Sequence, residues 1–133
     1  MQEVPLALFA GHGEFPRIVY APGNYAQGFN LTRKAFHMAD TYQVPVIILT
    51  DQYFLDSNCT VPGLEIDVSM SVSNIVVTDG GYRRFRVTEN GISPRLIPGK
   101  TKHLVLIDSD EHDERGWITE SAEVRTQMVD KRM

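Results

Sequence analysis

Cysteine is almost missing from this sequence: Cys59 is the only one in 133 residues. No intrachain disulfide can form. One thiolate cannot supply the roughly four sulfur ligands of an iron–sulfur cluster. Cys59 also has no basic neighbour in sequence to activate it as a nucleophile. Long apolar stretches are lacking too. No run, residues 44–49 included, comes near the ~18 residues of a membrane span. Residues 1–9 contain no Lys or Arg, so no secretory leader is read there. Cations are not in excess: 13 Lys and Arg stand against 17 Asp and Glu, a net charge of −4. That balance excludes nonspecific binding to nucleic acid or anionic membranes, both of which need surplus positive charge. These absences together predict a soluble cytosolic chain.

What is present reads as globular, with 42% hydrophobic and 23% charged residues. The length suits one domain or a piece of a larger one. Ile18-Val19-Tyr20-Ala21 is a short apolar run closed by the turn cluster Pro22-Gly23-Asn24. Tyr25, Phe29, Thr32, Ala35, Phe36, Ala39 and Tyr42 then recur at steps of three and four, the stripe of an amphipathic helix. Asn24 stands at its N-cap position. Val44-Pro45-Val46-Ile47-Ile48-Leu49-Thr50 is continuously apolar and β-branched, as in a parallel strand covered on both faces. Pro45 belongs at the strand's entrance. Strand, helix and strand make a βαβ unit, so the fold class is α/β. Asp51 follows the second strand, as a general base or a cap for the next turn.

Residues 54–102 show no helical stripe. Alternation over residues 82–88 predicts an edge strand or hairpin arm. Leu104-Val105-Leu106-Ile107 predicts a second buried strand. An acidic loop follows at residues 108–114, then a last helix capped by Ser121, with Val124 and Met128 on one face and Met133 as a further candidate. One βαβ unit is little for a doubly wound sheet. The chain is therefore read as part of something longer, exposing apolar faces that absent segments would cover.

Gly11-His12-Gly13-Glu14-Phe15-Pro16-Arg17 is the most distinctive motif. It is not a dinucleotide loop, because a strand follows where the pyrophosphate needs a helix N-terminus. Two readings remain. In one, it is an active-site loop. Its glycines let the backbone approach a ligand, His12 titrates near neutrality, and Arg17 pairs a carboxylate. In the other, it is a tight turn into a strand with Glu14 and Arg17 at its rim. The acidic run Asp108-Ser109-Asp110-Glu111-His112-Asp113-Glu114 lacks the Gly and Glu spacing of a calcium loop, and one His among carboxylates is a poor zinc set. It reads as a solvated loop or a docking surface for basic groups, with no metal assigned. Gly-x-Ser-x-Gly, Walker and Cys/His finger patterns are absent.

The segment Ala7-Leu8-Phe9-Ala10-Gly11-His12-Gly13-Glu14-Phe15-Pro16-Arg17-Ile18-Val19-Tyr20-Ala21-Pro22-Gly23 resembles the alpha subunit of 2-oxoacid:ferredoxin oxidoreductases, the 2-oxoglutarate synthase type in particular. The resemblance continues through Tyr42-Gln43-Val44-Pro45-Val46-Ile47-Ile48-Leu49-Thr50-Asp51-Gln52, Gly91-Ile92-Ser93-Pro94-Arg95, the acidic run and Met128-Val129-Asp130-Lys131-Arg132. It implies a thiamin-diphosphate-binding fold of the pyrimidine type. It further implies oxidative decarboxylation of a 2-oxoacid to an acyl-CoA, with electrons passed to ferredoxin. The cofactors would be thiamin diphosphate, magnesium and an iron–sulfur cluster, with the cluster and the diphosphate end held by a beta subunit. Residues 1–57 would then be the C-terminal part of the pyrimidine-type domain and 58–101 a loop and hairpin segment. Residues 102–133 would be a strand, acidic loop and helix leading towards a C-terminal domain.

The family segments that contact the aminopyrimidine, and a basic residue facing the oxoacid, lie before the stretch matching Gly11 to Arg17, where only ten residues stand here. Gly11, His12, Gly13 and Arg17 are therefore the expected site-facing loop, in positioning or electrostatic roles, and no residue is assigned a catalytic step. Activity without a partner subunit is not expected. The competing reading is a non-catalytic interaction module or remnant that mediates subunit association.

Overall fold

The computed structural model describes residues 3–11, 13–64, 75–78 and 80–133. They fall in two compact units, Met1–Val72 and Ser73–Met133.

The first unit opens with helix α1, Glu3–Phe9. Sequence reading missed it, although its signals are present. Glu3 and Pro5 sit in the first turn, where an acid suits the dipole and a missing N–H costs nothing, and Gly11 follows the end. Strand β1, Ile18–Tyr20, and strand β2, Val46–Ile48, pair in parallel with Ile18 opposite Val46 and Tyr20 opposite Ile48. Pro45 stands just before β2 as expected, and its carbonyl accepts from the Ile18 N–H at 3.0 Å. Helix α2, Tyr25–Tyr42, is the crossover. Its cap is reciprocal: Asn24 Oδ1 accepts from the Gln27 N–H, and Gln27 Oε1 accepts from the Gly23 N–H, both at 2.9 Å. Gln43 ends α2 in the left-handed region at φ 54°.

The apolar stripe of α2 is only partly covered. Ala35 is buried and Tyr25, Phe29 and Ala39 are half-buried, but Phe36 is 74% exposed and Thr32 and Tyr42 are also exposed. Both strands are half-buried throughout, so β2 is parallel as expected but not sealed on both faces. Asp51 caps helix α3, Gln52–Asp56, by accepting from the Phe54 N–H at 2.7 Å. The Phe54 ring then packs on Tyr25, centroids 4.8 Å apart, and against the bare Cα of Gly28.

The second unit holds together through side-chain bonds to backbone, with helix α4, Ala122–Arg132, as its regular element. Residues 82–88 are not the hairpin arm that their alternation predicts. The Phe85 N–H bonds the Glu114 carbonyl and the Val87 N–H bonds the Glu114 side chain, so donors that would feed a ladder go to a distant loop. Residues 104–107 form no strand either; Leu104 is 92% exposed and Ile107 is exposed. Ser121 caps α4 as expected, and Met128 is buried on its inner face while Met133 is exposed. Leu96 and Ser93 are buried here too, and the Ser93 hydroxyl donates to the Arg86 carbonyl at 2.9 Å.

Candidate functional site

The glycine motif begins where α1 ends. The last carbonyls of any helix lack intrahelical partners. Here the Arg17 guanidinium reaches back to two of them, with Nη1 donating to Ala10 O at 2.8 Å and to Ala7 O at 3.2 Å. The same guanidinium lies 4.0 Å over the Phe15 ring. That ring also abuts Gly11. A Cβ on Gly11 would come 2.7 Å from Phe15 Cε1, and Gly11 has φ +145°, a backbone that side chains disfavour. Gly13 is exposed, with open space where a Cβ would lie, so its backbone is accessible to a ligand. The fold thus brings Gly11 and Arg17 together through Phe15, a residue to which sequence reading gave no role. His12 lies outside the described residues.

Asp51 spends its carboxylate on the cap of α3, the structural one of its two readings. It follows the carboxyl end of β2, whereas Arg17 enters the amino end of β1, so the two candidates lie at opposite ends of a parallel sheet.

The acidic loop is turned inward. Glu114 accepts from the Val87 N–H at 2.9 Å and pairs with Arg83. Glu111 pairs with Arg132 of α4. Asp113 Oδ1 accepts from the N–H groups of Arg115 and Trp117 at 2.8 and 3.1 Å. Among the described residues no three His, Cys, Asp or Glu side chains gather as metal ligands. Glu111, Asp113 and Glu114 thus fasten the loop to its own unit.

These bonds have a pH signature. The Val87 N–H foremost, then Arg83, holds the Glu114 carboxyl below the ordinary carboxylate range. Arg132 foremost, with the His112 N–H, does the same to Glu111. A depressed folded-state pKa stabilises above the unfolded value of about 4.3, and that stability is lost as pH falls through the folded value. The urea midpoint of the second unit should therefore drop on acidification from about pH 5. Glu114→Gln should start about 1 kcal/mol lower at neutral pH and lose less on acidification. A Glu114→Gln profile parallel to the wild type would show that Glu114 does not contribute.

Residues 2–131 match the model of the pyruvate flavodoxin/ferredoxin oxidoreductase thiamine-diphosphate-binding family. The alpha subunit of 2-oxoacid:ferredoxin oxidoreductase 1 from Sulfurisphaera tokodaii is 42% identical over 130 residues, covering 95% of this chain and 20% of that protein. The 2-oxoglutarate synthase subunit KorA of Archaeoglobus fulgidus is 32% identical over 120 residues, 84% of this chain and 34% of that one. Among solved structures, the 2-oxoglutarate:ferredoxin oxidoreductase of Magnetococcus marinus, with 2-oxoglutarate, coenzyme A and succinyl-CoA bound, aligns at a TM-score of 0.78 and 30% identity. It matches 98% of this chain and 23% of its own. The chain spans about one fifth of the length of the 2-oxoacid:ferredoxin oxidoreductase alpha subunits it matches. Among the described residues no helix is long and apolar enough to cross a membrane.

Proposed function

The chain belongs to the thiamine-diphosphate-binding family of pyruvate flavodoxin/ferredoxin oxidoreductases, and from that premise we propose that it is part of the alpha subunit of a 2-oxoacid:ferredoxin oxidoreductase. The overall reaction converts a 2-oxoacid anion and coenzyme A into an acyl-CoA, CO2, a proton and two electrons, which pass to ferredoxin. The observation that carries this reading is 42% identity along 95% of the chain to a 2-oxoacid:ferredoxin oxidoreductase alpha subunit. 2-Oxoglutarate is the proposed substrate, because the relative KorA is a subunit of a 2-oxoglutarate synthase and the solved neighbour holds 2-oxoglutarate.

Thiamin diphosphate supplies the electron sink for decarboxylation when it is bound. We assign the diphosphate end, magnesium and the iron–sulfur cluster to a beta subunit. This chain contributes the loop of Gly11, His12, Gly13 and Arg17, lending backbone and positioning rather than a proton donor or nucleophile. The proposed setting is a cytoplasmic hetero-oligomer, with the isolated chain inactive. Its uncovered apolar side chains, Leu6, Phe9, Phe36 and Leu104 among them, suit a chain that meets neighbours.

The test is dye reduction by the chain assembled with its other subunits, supplied in turn with 2-oxoglutarate, pyruvate and a branched 2-oxoacid. The expected result is CoA-dependent reduction with kcat/KM highest for 2-oxoglutarate. Preference for another 2-oxoacid would correct the substrate. No reduction with any of them would remove the enzymatic reading.

A further inference from the structure

We propose that Arg17 is a positioning residue for the glycine turn, holding the backbone at Gly11 through α1 and Phe15 instead of binding the carboxylate of the 2-oxoacid; the proposal rests on the reading of that turn as site-facing.

Three contacts converge on one side chain. Arg17 Nη1 takes up the carbonyls of Ala7 and Ala10, which close α1 immediately before Gly11. α1 has no basic residue in its own last turn, so Arg17 brings the cation that its C-terminus favours from seven residues beyond Ala10. The guanidinium carbon lies 4.0 Å from the Phe15 ring centroid. Phe15 in turn fills the space a side chain would need at Gly11. Helix end, guanidinium, ring and glycine are therefore in successive contact, which couples the Gly11 backbone to Arg17. A guanidinium suits this place better than an ammonium, because it can donate to carbonyls and lie against an aromatic ring at once. A side chain already donating Nη1 to two carbonyls is poorly placed to give a substrate carboxylate the two-pronged grip that makes arginine a carboxylate receptor.

The experiment uses the assembled enzyme with Arg17→Lys and Phe15→Leu. Steady-state rates with the 2-oxoacid are combined with hydrogen exchange of the peptide spanning residues 6–13, read by mass spectrometry. A small displacement of a positioned group costs rate more than affinity. Both variants are expected to lower kcat about tenfold, to leave KM for the 2-oxoacid within about twofold, and to speed exchange in that peptide. A large rise in KM for Arg17→Lys, with Phe15→Leu silent, would mean that Arg17 binds substrate, and would overturn the proposal. Unchanged kcat and exchange in both variants would overturn it equally. If the wild-type assembly reduces no dye with any 2-oxoacid, the functional reading fails, and the exchange data then decide separately whether Arg17 holds the turn.

Discussion

Gly116→Ala is expected to destabilise the second unit by about 2–4 kcal/mol. Two costs coincide. Gly116 has φ +93°, where an L side chain alone costs about 1–2 kcal/mol. A Cβ there would also drive into the Leu106 carbonyl oxygen, with Leu106 C at 3.0 Å and Phe85 Cε2 at 3.3 Å. The turn cannot yield cheaply. Gly116 N–H donates to Asp113 O at 3.0 Å, Asp113 N–H donates to Trp117 O at 2.9 Å, and Asp113 Oδ1 takes two further N–H groups. Trp117 is the only tryptophan in the sequence and sits in this turn, so its fluorescence in a urea titration reports the event. Gly81→Ala is the matched control. Nothing lies within 4 Å of a Cβ there and its φ is not positive, so its midpoint should stay within about 0.5 kcal/mol of wild type. Equal effects of the two substitutions would contradict the Leu106–Gly116 crossing.

Met128→Ala should cost a similar amount, about 2–4 kcal/mol. At 1% exposure Met128 is the largest fully buried side chain among the described residues. It anchors α4, which is also tied by the Ser121 cap, the Glu111–Arg132 pair, and Lys131 Nζ donating to Gly91 O at 2.9 Å. A unit of about 60 residues has only roughly 3–9 kcal/mol of stability in all. Losing this side chain should thus leave a substantial unfolded population in mild urea, visible as lost helical circular dichroism. Met128→Leu keeps the volume and should cost less than about 1.5 kcal/mol. An alanine variant as stable as wild type would mean that α4 is held by its polar ties alone.

The legible parts of the fold were those written locally. Asn24 and Ser121 precede their helices as caps, and the β-branched run containing residues 46–48 is a parallel strand. The misread parts depend on partners far along the chain. Alternation over residues 82–88 obeys the period of a strand, yet Glu114, 27 residues beyond Val87, takes the backbone donor that a ladder would use. The acidic run looked solvated because its partners Arg83 and Arg132 lie 31 and 21 residues away. At the candidate site the paired glycines announce a close backbone approach. The Phe15 wedge and the reach of Arg17 to Ala7 do not, since both arise only when α1 folds back beside the loop. Asp51 was open between base and cap, and its bond to the Phe54 N–H shows the cap.

The measurement that bears most directly on the central claim is 2-oxoglutarate-dependent dye reduction by this chain with thiamin diphosphate, magnesium and coenzyme A, first alone and then with its partner subunits. Background rates alone and turnover on assembly are the expected pair of results. Sustained turnover by the isolated chain would show that these residues carry a complete site, contrary to the shared one inferred from their family and their uncovered faces.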